Sequence, residues 1–533
     1  MKPEELESLK SGDLNRTKAA LCAFAQKYAN LFDFREFNAK GQWIVIWDTV
    51  FNILRNEKFT QVFPDALCCV RILARDENNI RTHNIKKDFD CLLKLANLAP
   101  ESLTGTKMSS SEVTVEALKC LCNMVYLSSD CQKACLRNSS TDGIIKRVSC
   151  DKVYPHDIEY FDMKLLFLIT ALEPGTRNKV RDDLNGLTYL TEWLDLKVKE
   201  KDKSDKAIDL IWEILKVLFN ITANNEKTSI ENEILYRRLT AVARALLLEL
   251  GDLTGEKEKN AVTSTIHMLT NVPTVCMVEL MQGSTGKSDL NKENLFEGKC
   301  VKALDVLLQY LKNTLNNEND KSPSNLLHET LPPILTVLVK CARSNSTMRH
   351  YIRSVILPPL KDVSRRPEEG NELRNHLCRF LTLPQMTIRG LASDLLFVLC
   401  KESVGRMIKY TGYGNAAGLF ASRGILDGRK TDNTEYSSDS EDSDTEEYKK
   451  MQHGINPVLG CYEPPKPNPL EGMSEEQKEY EAIQLANLME KLHRQGIVQP
   501  CRIGEDGKPQ PVDHILQLQE ELPQQQIEQK RKT

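Results

Sequence analysis

Four pairs of side chains carry the most suggestive chemistry in the chain: Arg71 with Arg75, Lys119 with Asn123, Lys216 with Asn220, and His267 with Asn271. Members of each pair stand four apart, so on a helix they share one face. The set joins cations to amides and, as paired, holds no carboxylate. It suits a peptide segment that offers backbone groups and a carboxylate, because an arginine can take a carboxylate bidentately. A second use of the same residues is also open. The asparagines could bond to backbone at neighbouring helix ends, with the cations left to solvent.

A different chemistry is written further on. Residues 431–448, T-D-N-T-E-Y-S-S-D-S-E-D-S-D-T-E-E-Y, hold eight acidic residues and no basic one. Ser438 and Ser443 are each followed closely by acids, the setting that an acid-directed protein kinase uses, and each phosphate would add about -1.5 to -2 charge. Upstream, Lys340, Arg343, Arg349, Arg353, Lys361, Arg365 and Arg366 are answered only by Asp362. Arg349 and Arg353 share a helical face, so a phosphorylated tract is expected to fold back on them and brace the repeats beside it. A solvated acidic linker is the plainer alternative.

Nothing reads as a conventional enzyme. Gly286-Lys287-Ser288 matches the end of a phosphate-binding loop, but Met281 stands where that loop needs glycine, and Val278-Glu279-Leu280 reads as a helix end rather than a strand. Gly412, Gly414 and Gly418 lack a strand–turn–helix setting, and no nucleophile-elbow or zinc-protease pattern occurs. There is no C-x-x-C pair, and Cys131 and Cys135 lack nearby histidines, so neither metal nor cofactor is expected.

The elements that must position the ladder are helices repeated at a near-constant interval. Aligning R-I-L-A-R-D (71–76), K-C-L-C-N-M (119–124), F-L-I-T-A-L (167–172), K-V-L-F-N-I (216–221) and H-M-L-T-N-V (267–272) places Arg75, Asn123, Ala171, Asn220 and Asn271 in register, separated by 48, 48, 49 and 51 residues. The register then stretches to Ala342 in L-V-K-C-A-R and Lys401 in F-V-L-C-K-E, with an insertion over 282–324. Apolar residues recur at helical spacing, as Leu118, Leu121, Cys122 and Val125 do, and loop chemistry marks the breaks: Phe63-Pro64-Asp65, Glu173-Pro174-Gly175, Lys201 to Asp205 and Gly251 to Lys259. The expected fold is all-α, an armadillo/HEAT-like right-handed superhelical solenoid over residues 1–425, with function on its concave face. An acidic, Pro-containing linker expected to be disordered follows over 426–473, an amphipathic helix over 474–495 begun by the capping box Ser474-Glu475-Glu476-Gln477, and a flexible tail over 496–533. A net charge of -4 over 533 residues argues against a general nucleic-acid or membrane binder, and the longest apolar run, near 165–172, is far short of a transmembrane segment. Sixteen cysteines after a polar start, with Cys68, Cys120, Cys122, Cys341 and Cys400 inside apolar helical runs, fit a monomeric cytoplasmic protein with buried thiols.

The longer motifs carry a resemblance. A-L-K-C-L-C-N (117–123), F-D-M-K-L-L-F-L-I-T-A-L (161–172), L-P-P-L-K-D-V (357–363), K-Y-T-G-Y-G-N-A-A-G-L (409–419), the acidic tract ending E-E-Y-K, and P-N-P-L-E-G-M-S-E-E-Q-K-E-Y-E-A (467–482) together look like synembryn, the resistance-to-inhibitors-of-cholinesterase family, in order from about residue 60 to 490. The resemblance implies a chaperone and receptor-independent guanine-nucleotide exchange factor for heterotrimeric G-protein alpha subunits, located in the cytoplasm and recruited to the membrane through its partner. It implies that Arg71, Arg75 and Asn123 meet the alpha subunit's terminal carboxylate and backbone, with Lys119, Lys216, Asn220, His267 and Asn271 along the same groove. It carries family phosphosites onto Ser438 and Ser443, their docking residues onto Arg349 and Arg353, and makes the helix from Ser474 similar to one that contacts the alpha subunit. From the residues alone, a repeat-protein adaptor for some other peptide tail remains open.

Overall fold

The computed structural model describes residues 3–82, 86–100, 109–150, 152–200, 202–223, 230–253, 255–283, 295–316, 329–426, 444–464, 470–504 and 508–512. Among them the chain is built of helices, and its strands are two or three residues long. It divides into two compact units, Met1–Leu280 and Met281–Thr533.

In the first unit the helices Phe63–Leu73, Ser111–Leu127, His156–Leu172, Asp205–Thr222 and Glu256–Asn271 stack each on the next in one layer. They are the five helices that the repeat register aligned. A second layer, including Gln42–Leu54, Lys86–Leu95, Gly186–Lys199 and Ile230–Leu250, packs against them. Side-chain caps start two of these helices, and a proline opens a third. Ser110 accepts a hydrogen bond from the Val113 amide and Ser204 one from the Ala207 amide, satisfying N–H groups that the first turn leaves over. Pro64 sits in the opening turn of its helix, where its missing N–H costs nothing.

The apolar residues of each helix wrap most of its circumference. In Ser111–Leu127, Val113, Ala117, Leu118, Leu121, Met124 and Val125 are buried, and the stripe of Glu112, Glu116, Lys119, Asn123 and Tyr126 is left partly or fully open. A helix clamped between stacked neighbours and a second layer needs such a wide apolar arc and one narrow polar stripe. The layer's far end is closed by Trp43 and Trp47, stacked with ring centroids 4.7 Å apart and both buried. Their indole N–H groups donate to the Leu73 carbonyl (3.1 Å) and the Asp88 carboxylate (2.8 Å). All sixteen cysteines are free thiols, and burial raises those of Cys122 and Cys341 to about 12.

In the second unit Leu331–Ser344, which carries Ala342, packs against Met386–Leu399, and Lys401 falls in the turn beyond that helix at φ +53°. Residues 444–464 form a strap across the helices Val404–Thr411 and Tyr413–Arg423. The Tyr413 and Gly414 amides donate to the Pro457 and Val458 carbonyls (2.8 and 2.9 Å), and the Tyr462 amide to the Val363 carbonyl (2.7 Å). This contact explains Gly412 and Gly414 of Y-T-G-Y-G-N-A-A-G. Gly412 lies at φ +74°, and a Cβ there would come within about 3.0 Å of the backbone of Val458 and Leu459. The helix opened by the Ser474 capping box runs Glu475–Arg494, within a residue of the sequence reading. None of its residues is buried, and Tyr480, Ile483, Leu485 and Leu488 are more than half exposed.

Candidate functional site

The repeat register sets residues of the five stacked helices in columns. Arg71, Lys119, Phe167, Lys216 and His267 form one; Arg75, in the turn just past the end of Phe63–Leu73 rather than on the helix, with Asn123, Ala171, Asn220 and Asn271, forms the next. The structure adds a third, one turn earlier, of Cys68, Glu116, Lys164, Glu213 and Ser264. The ladder therefore does contain carboxylates. The four-residue spacing links each cation to the residue ahead of it, whereas Glu116 and Glu213 stand three behind Lys119 and Lys216.

Those carboxylates set the electrostatics. Glu116 bonds both Arg71 (Nε to Oε2, 3.0 Å) and Lys119 (Nζ to Oε1, 2.7 Å). Glu213, buried to 2% exposure, bonds Lys216 at 2.7 Å. The lysines also lie over aromatic rings: Lys119 is 5.2 Å from the Phe161 centroid, and Lys216 is 4.5 and 4.6 Å from those of Phe167 and Trp212. Such half-desolvated cation–π contacts hold the ammonium groups at the surface of the layer. At the next rung the His267 ring lies 6.2 Å from that of Phe219.

The asparagines serve as staples between helices. Asn123 Nδ2 donates to the Arg71 carbonyl (3.2 Å), Asn220 Nδ2 to the Phe167 carbonyl (3.3 Å) and Thr170 Oγ1 (3.0 Å), and Asn271 Nδ2 to the Phe219 carbonyl (2.9 Å) and Thr222 Oγ1 (3.2 Å). Each reaches back one repeat to the C-terminal part of the preceding helix, and the Phe219 carbonyl accepts from Asn271 in addition to the Ala223 amide. At the first rung the Arg75 amide turns to the Ile72 carbonyl, leaving that of Arg71 for Asn123. Of the two uses open in the sequence, backbone bonding by the asparagines is what is seen, and the cations are paired rather than solvated. These bonds use the amide nitrogens; the amide oxygens are what the rungs can offer to a guest.

Arg75 differs from the other rungs. Its Nη1 donates to the carbonyls of Ala29 (2.7 Å) and Leu31 (3.3 Å), and no carboxylate bonds it among the described residues. Burial, then the neighbouring Arg71 charge, shifts its guanidinium below the usual range. The corner made by Arg71, Arg75 and Lys119 thus carries three cations against Glu116, the one carboxylate bonded to them among the described residues. An incoming carboxylate would relieve that excess, and the Nε and Nη2 edge of Arg75 presents the fork geometry to accept it.

The second predicted site is placed less openly. Arg349 and Arg353 share one face of the Ser346–Ile356 helix, as read from their spacing, but both are buried, at 8% and 7% exposure. Arg349 Nη1 donates to the Ala342 carbonyl (3.1 Å), and Arg353 stands 5.8 Å from the Tyr410 ring. Arg343, Lys361, Arg365 and Arg366 are the exposed cations of that segment. Ser438 and Ser443 lie outside the described residues. The chain just beyond them is docked on the second unit: Lys409 pairs with Asp444 and lies 4.8 Å from the ring of Tyr448, which is buried, and the Thr445 hydroxyl donates to the Leu360 carbonyl.

The sequence matches the family model described as "Guanine nucleotide exchange factor synembryn" over residues 66–508. It is 50% identical to "Chaperone Ric-8" of Drosophila melanogaster across 100% of both chains, 35% identical to "Chaperone Ric-8A" of Xenopus tropicalis across 96% of each, and 34% identical to that of Danio rerio, again across 96% of each. Among solved structures, a designed armadillo repeat protein aligns with 58% of this chain and 98% of its own at 12% identity and a TM-score of 0.35, too distant to add to the helix order seen directly.

Proposed function

Because the chain belongs to the Ric8 family of chaperones and guanine nucleotide exchange factors, we propose that its ladder face binds the C-terminal segment of a heterotrimeric G-protein alpha subunit. The observation that carries this reading is Arg75, a part-buried guanidinium that bonds backbone carbonyls through Nη1 and no carboxylate among the described residues, in a corner where three cations share one bonded carboxylate. The guest's terminal carboxylate takes the Nε and Nη2 edge of that guanidinium, and its backbone follows the columns past Asn123 towards Lys216, Asn220, His267 and Asn271.

Exchange then needs no nucleotide pocket in this chain. Holding the guest's C-terminal helix away from its own core favours the open, nucleotide-free state, and GDP leaves because that state binds the ladder better. GTP closes the core and lowers its affinity for the ladder to the same degree, since coupling between two sites is reciprocal. Chaperoning follows from the same preference, because an alpha subunit that has not yet closed is what the face retains.

Phosphorylation of Ser438 and Ser443 by an acid-directed kinase tightens the second unit. The support is that Asp444, Thr445 and Tyr448, which follow the phosphosites in the chain, are anchored on Lys409 and Leu360 of the second unit. Supporting this is the polarity of the docking already present, an acid on Lys409 beside a segment rich in cations.

Arg75→Ala combined with Asn123→Ala is expected to weaken binding of a peptide taken from the guest's C-terminal segment by about 2 kcal/mol or more, the scale of charge-assisted hydrogen bonds. Calorimetric titration and GDP-release rates measure it. Unchanged affinity and unchanged release, in a variant whose melting is intact, would refute the reading.

A further inference from the structure

The segment from Phe24 to Phe37 has one feature that the ladder leaves unexplained. Its aromatic residues gather inward: Phe24, Phe34 and Phe37 are buried at 3–5% exposure, with Tyr28 packed edge-on against Phe37 at 5.0 Å. Phe32, in the middle of them, is 75% exposed. Its ring centroid stands 4.9 Å from the Arg75 guanidinium carbon, and the residues on either side of it, Leu31 by its carbonyl and Phe34 by its burial, tie the segment down. A phenylalanine shown to solvent on a fixed support, against the guanidinium that closes one end of the ladder, is an apolar surface without an apolar partner.

We infer that Phe32 is a specificity-determining residue that receives the last side chain of the guest and selects a bulky apolar C-terminal residue. The inference rests on the reading of Arg75 as the carboxylate's partner. In a C-terminal residue the carboxylate and the side chain leave the same Cα. A carboxylate on the Nε and Nη2 edge of Arg75 therefore carries its side chain to within a few ångströms of the guanidinium face, where the Phe32 ring lies. An aromatic or leucine side chain there covers the exposed ring and removes apolar surface of both from water. A terminal lysine would set its ammonium beside Arg71 and Arg75 and be repelled.

The test uses the full-length protein and synthetic peptides of an alpha subunit's C-terminal segment ending in Phe, Ala or Lys as free acids, with the Phe-ended peptide also made as the carboxamide. Fluorescence anisotropy gives the affinities. Wild-type protein is expected to favour Phe over Ala by about tenfold, the scale of one well-placed aromatic contact, and to bind the Lys-ended peptide weakest. Phe32→Ala removes that preference while the Ala-ended peptide binds within about twofold of wild type, and Phe32→Leu keeps part of it. An exposed residue makes these variants fold normally, which an unchanged unfolding midpoint checks. If Phe32→Ala retains the full preference for Phe, the inference is overturned while acid-over-amide selectivity leaves the Arg75 reading standing. If acid and carboxamide bind wild-type protein equally, the Arg75 reading falls and takes this inference with it.

Discussion

Asn220→Ala separates what holds the ladder together from what the ladder binds. The Asn220 side chain is 7% exposed, and its Nδ2 donates both to the Phe167 carbonyl and to Thr170 Oγ1. A net contribution near 1 kcal/mol for each bond, with no water able to replace them in place, puts the loss at about 2 kcal/mol. Asn271 makes the equivalent pair of bonds but is only partly covered, so solvent recovers part of its loss and Asn271→Ala should cost about half as much. The four tryptophans, Trp43, Trp47, Trp193 and Trp212, all lie in the first unit, so intrinsic fluorescence during urea unfolding reports on that unit alone. Pairing Asn220→Ala with Thr170→Val in a double-mutant cycle should show a coupling of about 1 kcal/mol, and peptide affinity measured well below the transition should change less than in the Arg75 variant. Equal losses for Asn220→Ala and Asn271→Ala, or no coupling to Thr170, would refute the staple account.

The remaining predictions concern charge. Asp162 is buried in the first unit 3.0 Å from Arg147, and burial, opposed by that guanidinium and assisted by Glu159, raises its carboxyl from 3.8 to about 7. The folded state therefore holds this proton more tightly than the unfolded chain, so its stabilising contribution is complete below the unfolded value and is lost as pH rises through about 7. Asp162→Asn should flatten the fall in urea midpoint between about pH 4 and 7; an unchanged slope would assign the dependence elsewhere. For the acidic tract, kinase treatment is expected to raise thermal stability and exchange activity, and alanine at Ser438 and Ser443 should abolish that gain. Kinase-treated wild type and variant behaving alike would leave the strap as a passive contact.

Much of this arrangement was legible in the residue order. Intervals of 48 to 51 residues between Arg75, Asn123, Ala171, Asn220 and Asn271 put five helices in register, because stacked repeats with a common partner layer must present their open stripe at a common phase. The same spacing contained Glu116 and Glu213, three residues before Lys119 and Lys216, so the carboxylate column could have been found by reading one turn further back. The capping box predicted the Glu475–Arg494 helix to within a residue, since hydrogen bonds within four residues do not depend on the rest of the fold.

Side-chain partners across the layers were decided by tertiary structure alone. That Asn123 is spent on the Arg71 carbonyl, that Arg349 and Arg353 are buried, and that Ala29, Leu31 and Phe32 surround Arg75 from more than forty residues away in the chain follow from which helix ends meet. The periodicity of a sequence specifies which face of each helix is polar, because that depends only on the turn of one helix. Whether a polar group on that face stays open for a guest depends on distances between helices, which no local pattern encodes.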